Sequence, residues 1–219
     1  MRSVAAVILG AFAVPASGQV DVTGGQTNVL LDTDTLSAAA SLDLSSVSGP
    51  VIAPGNLGAA SVAFPINARD AASLPTTFSY DPADFLGSFG GTIEHEGSVL
   101  FNNDTVEVGN FTIGFDLGRA GTLGGNASGF FVESTVGIAA ILFDIAAPSQ
   151  LDATSSSLTI AADLLVSPEF GQFLFDNSLS STNLQGADVG DALVQAVPAP
   201  GAAVAFAGLG LAASRRRRA

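Results

Sequence analysis

Leu158-Thr159-Ile160-Ala161-Ala162-Asp163-Leu164-Leu165-Val166 places an apolar side chain at every second position, from Leu158 through Ile160, Ala162 and Leu164 to Val166. Successive side chains of a strand point to opposite faces, so this period of two predicts a strand with one face in a core. The pattern recurs along the chain. Leu36, Ala38, Ala40, Leu42 and Leu44 repeat it, largely against Ser and Asp, and Val106, Val108, Phe111, Ile113 and Phe115 follow it with one slip. That slip falls at Gly109-Asn110, where a bulge would reset the register. Further strands are predicted over Ser61–Ile66, Thr76–Tyr80, Gly91–Phe101, Gly129–Val136, Ile138–Ile145, Gln172–Phe175 and Ala192–Val197. Turn-forming pairs separate them, among them Gly24-Gly25, Pro54-Gly55, Asn102-Asn103-Asp104 and Asp176-Asn177. Short strands at this spacing predict an all-β fold, an antiparallel β-sandwich or jelly roll. One domain over residues 19–195 accommodates them. Its core material is phenylalanine: there are fifteen, against one tyrosine, Tyr80, and no tryptophan.

The two ends read as addresses. Residues 1–18 combine Arg2, an apolar run from Val4 to Val14 and the small residues Ala16-Ser17-Gly18. That is the three-part pattern of a secretory signal peptide, a signal helix cleaved between Gly18 and Gln19. Residues 196–219 hold Val197-Pro198-Ala199-Pro200, then an apolar stretch, then Arg215, Arg216, Arg217 and Arg218. A hydrophobic helix over Gly201–Ser214 would reach only ~21 Å at ~1.5 Å per residue, short of a ~30 Å hydrocarbon core. The arginines would hold its end on the cytoplasmic side. Such a short, alanine-rich segment suits a transient inner-membrane hold better than a lasting anchor.

The tail is similar to that of PEP-CTERM proteins, with the same three parts in the same order over the last tenth of the chain. Where that family has Pro-Glu-Pro, this chain has Pro198-Ala199-Pro200. The resemblance implies a bacterial preprotein that uses the Sec translocon, is cut by an exosortase near Pro198–Pro200, and reaches the cell surface or the medium. It also implies extracellular polysaccharide as a partner.

Charge narrows the middle. Lysine is absent, and removing both ends leaves Arg69 and Arg119 against twenty carboxylates, from Asp21 to Asp191, a net charge of −18. Such a chain repels nucleic acid and anionic surfaces. With no cysteine there is no disulfide framework and no thiol chemistry.

Catalytic inventories are thin. The only histidine, His95, lies in Gly91-Thr92-Ile93-Glu94-His95-Glu96-Gly97, without a nucleophile motif around it. On a strand, Glu94 and Glu96 share one face and His95 takes the other, so the three cannot ligate one metal. Asp32 and Asp34, with Asp104 in the Asn102-Asn103-Asp104 turn, offer the hard oxygens that calcium takes. Asp81 and Asp84 offer the same. The segment Gly91–Phe115 resembles a strand pair of bacterial haem-binding HtaA-type domains, which implies His95 and Tyr80 as haem-pocket residues. The prediction is a non-enzymatic, exported protein with a structural or adhesive role in the cell surface or extracellular matrix. The alternatives are a calcium-dependent carbohydrate- or haem-binding module, or a glycan-active enzyme using a carboxylate pair.

Overall fold

The computed structural model describes residues 18–200. The signal and tail helices expected at the two ends, with Ala16 and Arg215–Arg218, lie outside those residues. The strands run β1 Val20–Leu31, β2 Leu44–Ser48, β3 Val62–Pro65, β4 Ser79–Tyr80, β5 Ile93–Glu94 and β6 Ser98–Phe101. They continue with β7 Val106–Phe115, β8 Ala127–Gly137, β9 Ala140–Ala146, β10 Gln150–Ala153, β11 Leu158–Val166 and β12 Asp188–Pro200. Three α-helices are inserted: α1 Thr33–Ala40, α2 Phe85–Ser88 and α3 Pro168–Asp176.

The fold is the expected antiparallel all-β architecture, and its two layers are halves of one curled sheet. The strand order is β2-β6-β7-β8-β9-β11-β12-β1-β3, with β10 beside β11, β4 beside β1 and β5 beside β7. The ring closes at a short seam. Beyond β3, Ile66 bridges to His95, just past β5. The Asn67 amide donates to the Glu94 carbonyl at 2.8 Å, and β5 pairs with β7. One face of each long strand therefore points inward. Leu158, Ala162, Leu164 and Val166 of β11 are buried as their alternation requires.

Two expected strands are helices instead. Leu36–Leu44 alternates only because alanine counts as apolar; the chain actually forms α1. Asp32 caps it, accepting from the Thr35 amide and hydroxyl at 2.9 and 2.7 Å, and Leu36 and Ala40 are buried one turn apart. Ser41, at φ 50°, ends it. Gln172–Phe175 belongs to α3, which starts on the Ser167 cap with Pro168 in its first turn, and buries Phe170 and Leu174. Cap chemistry outweighed a weak period in both places.

The predicted register slip at Gly109-Asn110 is present. Asn110 has φ 49°, β6 pairs with β7 up to Gly109, and β5 pairs from Thr112 onward. Opposite it, residues 95–97 form the other side of the bulge, and Gly97 (φ 114°) meets Asn110 through hydrogen bonds in both directions. This breaks the expected alternation: Glu94 and His95 are both buried and only Glu96 is exposed. Glu94 accepts from the Thr112 hydroxyl at 2.6 Å.

A salt-bridge cluster fastens α3 to the sheet. Arg119 sits in the 3-10 turn Leu117–Arg119 after β7. Its Nε and Nη2 donate to both oxygens of Asp144 on β9, at 2.6 and 2.9 Å. Nη1 and Nη2 also donate to Glu169 of α3, at 2.7 and 2.9 Å. The Asp144 side chain is fully buried while that of Glu169 is 45% exposed. Removing the partner of a buried charge leaves the desolvation cost unopposed. Arg119→Ala should therefore lower the unfolding free energy by about 3–5 kcal/mol, whereas Glu169→Gln should cost less than about 1 kcal/mol. Urea unfolding of the two variants checks the ordering, and equal losses would mean Asp144 is not held by Arg119.

Candidate functional site

Inside the barrel lies a cavity of about 80 Å³, walled by Phe, Leu, Ile, Val and Ala side chains from β1, β7, β9, β11 and β12. Its only polar wall is Thr27 with His95. His95 is 1% exposed and both ring nitrogens are engaged. Nδ1 lies 3.0 Å from the Phe111 carbonyl, which can only accept, so Nδ1 carries the proton. Nε2 then accepts from the Thr27 hydroxyl at 2.8 Å. One imidazole thus joins β7 to β1 across the seam, beside the Ile66 bridge. Burial pushes its pKa down to about 4 against the opposing bond from Phe111, so the ring is neutral at pH 7.

The other sequence candidates are scattered. Tyr80, wholly buried, donates from its hydroxyl to the Thr154 carbonyl at 2.7 Å, and burial raises its pKa to about 12. Asp32 is spent capping α1, which holds its carboxyl below the ordinary value. Asp34 is exposed in the same helix, and Asp104 accepts from Ser46 at 2.7 Å. Asp81 and Asp84 serve the turn around α2, accepting from the Ala83 and Gly87 amides. These are the backbone-capping jobs that Asp does in turns. Among the described residues, no three acidic or histidine side chains are placed to hold a metal.

The first and last strands of the described residues are brought together. Gly18 and Gln19 lead directly into β1, and β12 runs past residue 195 through Val197, Pro198 and Ala199 to Pro200. Val20 lies opposite Pro200, Asp21 opposite Ala199 and Val22 opposite Pro198. The segments that follow the expected signal cleavage site and precede the expected sorting tail are therefore neighbours in one ladder.

No family model matches the chain, and no curated protein matches it. The fold does have a counterpart. It is similar to the C-terminal domain of HtaA from Corynebacterium glutamicum. The TM-score is 0.50 with 14% sequence identity, over 82% of this chain and 99% of that one. At that identity the likeness shows the fold alone.

Haem, which the resemblance in Gly91–Phe115 implies, does not fit the two residues named for it. An axial ligand must offer a free lone pair toward the iron. His95 offers none, because Thr27 holds Nε2 and the Nδ1 proton points at Phe111. Tyr80 has its hydroxyl bound to backbone in the core. The cavity beside His95 is also smaller than a porphyrin.

Sequence reasoning missed Thr27 and the Arg119–Asp144–Glu169 cluster. A threonine in an apolar strand pattern gives no sign of its partner, and the three ionic residues are far apart in the chain. His95 makes a testable link to pH. Its folded pKa of about 4 lies below the unfolded value of about 6.5, so below pH 6.5 the unfolded chain takes up a proton that the folded one refuses. Stability should fall by about 3 kcal/mol between pH 6.5 and 4 from this group, with no further loss below. His95→Asn, which keeps a donor for Phe111, should flatten that part of the urea-unfolding profile relative to the parent. Parallel profiles would show that His95 is not what titrates.

Proposed function

We propose that the chain is an exported, non-catalytic β-domain of the bacterial cell surface or extracellular matrix, with a structural or adhesive role. The observation that carries it is the pairing of Val20–Val22 with Pro198–Pro200. The domain begins two residues after the signal cleavage site and ends where the apolar tail begins, so it fills the interval between the two addresses. Val20 and Pro200, the residues nearest the two addresses in the ladder, lie opposite each other. That arrangement suits a domain held at the membrane during export and then handed outward.

Two further observations support the reading. The single histidine is used up in closing the barrel, which leaves it unsuited to act as a general base. The excess of carboxylates over the arginines Arg69 and Arg119 keeps the domain soluble and repels anionic surfaces. Extracellular polysaccharide is the partner that the tail resemblance implies for it. The Sec translocon and an exosortase are the partners of its transit.

The test is the intact mass of the protein recovered from its native host, taken separately from cell-envelope and extracellular fractions. The expected mass lacks Met1–Gly18 and the residues after about Pro200. A mass retaining Gly201–Ala219 would make the tail a lasting anchor and overturn the sorting half of the proposal.

A further inference from the structure

The motif Val197-Pro198-Ala199-Pro200 is the final stretch of β12, and three features set it apart from the rest of that strand. First, a register shift between Val22 and Gly24 separates the last three pairs from the eight that run from Gly24↔Val197 to Leu31↔Gly190. A bulge interrupts the ladder, so the end can open without unzipping the remainder. Second, β11 pairs with β12 only as far as Ala196, so residues 198–200 are held by β1 alone, and the prolines turn their N–H-less nitrogens to the edge that β11 leaves unpaired. Val22 gives its own N–H to the Phe78 carbonyl on the opposite side, at 3.0 Å. Third, burial adds to the short ladder that holds this end: Val20 is 3% exposed, Val22 is wholly buried, and Pro198 is buried opposite it. Beyond the bulge, Thr23 Oγ1 donates to the Val197 carbonyl at 3.0 Å and marks where the loose end begins.

A processing protease needs an extended, unpaired substrate backbone, and in a folded protein the cutting rate then follows the population of the open form. We propose that the segment Val20–Val22, the start of the mature chain, is a clamp on the sorting motif, so that the motif becomes a protease substrate only when the last three pairs of β1 and β12 open. This rests on reading the tail as a sorting signal. The clamp joins the first and last strands of the domain, so it can form only after the whole domain has been exported. Folding and tail removal then compete for the same three residues, 198–200. The bulge and the edge left unpaired beyond Ala196 keep the folded form able to open locally.

The absence of cysteine permits a clean lock. Asp21 and Ala199 face each other across the two strands, within the ~4.4–6.8 Å that a disulfide spans between Cα atoms. The doubly substituted chain, Asp21→Cys with Ala199→Cys, can be oxidised or reduced at will, with Ala199→Cys alone as control. The purified full chain is digested with a broad-specificity protease and the fragments are weighed. The expected result is trimming that stops at Pro200 or beyond when the pair is oxidised. Cuts between Val197 and Pro200 should be at least tenfold faster when it is reduced. Equal rates in both states would overturn the clamp, whatever the tail does in the cell. In the native host, the oxidised pair should keep residues 201–219 while the parent and the single variant lose them, and dithiothreitol should restore removal. If the oxidised pair is processed as fast as the parent, the clamp does not gate sorting and the proposal fails. If the parent itself keeps the tail, the sorting reading fails, and the digestion still decides the clamp.

Discussion

The pairing of β1 with β12 is the contact on which the rest of the structure depends. β1 is the first strand of the domain and β12 the last, and they stay in register from Val20↔Pro200 to Leu31↔Gly190 with one shift. β1 also carries β3 and β4 on its other edge, so it is the hub through which the two halves of the sheet meet. Without it, β11–β12 and β3–β4 would each present an unpaired edge, the exposed-ladder hazard that closed sheets avoid. Such a long-range pairing cannot form until nearly all of the chain is available, which places the fold among the slower, high-contact-order topologies.

Closure at the opposite side is made by short pieces, and side chains add to what the backbone supplies. The Ile66–His95 bridge and the Asn67 amide span β3 and β5, and the Ser79–Gly90 bridge with the Thr77 and Phe78 amides on the Thr92 carbonyl continues the seam beside β4. His95 adds two side-chain bonds there, to β7 through Phe111 and to β1 through Thr27. A buried neutral imidazole with both nitrogens satisfied avoids the cost of an orphaned polar group. The likeness in fold to the HtaA domain therefore comes with a histidine committed to architecture. A shared fold leaves function to the particular residues of the site.

Arg119 shows the same economy in a chain with few cations. One guanidinium pairs with both a fully buried aspartate and a helix-terminal glutamate, and lies 5.9 Å from the Phe131 ring centre. Its fork geometry serves both carboxylates bidentately, which an ammonium could not do. Of the other carboxylates among the described residues, Asp21 has an arginine partner, Arg69 at 3.5 Å. Asp163 and Asp191 face each other directly across β11 and β12, and partial burial, then the charges of Asp188 and Asp191, raise the Asp163 pKa. The domain tolerates that repulsion because both side chains face solvent.

The sequence by itself determined the period-two strands, and with them the antiparallel all-β class, because alternation follows from strand geometry alone. Leu158–Val166 and the slip at Gly109-Asn110 were legible for that reason. Where caps decided, at Asp32 and Ser167, the signal was present too, but alternation read through alanine hid it. Tertiary structure alone decided which strands meet, where the ring closes and what each polar residue faces. Thr27 and His95 are 68 residues apart, Arg119 and Glu169 are 50 apart, and Asp21 and Ala199 sit near opposite ends of the domain. Such contacts depend on register between distant strands. A local pattern reports which face a residue occupies, and it carries no information about the neighbour that face will find.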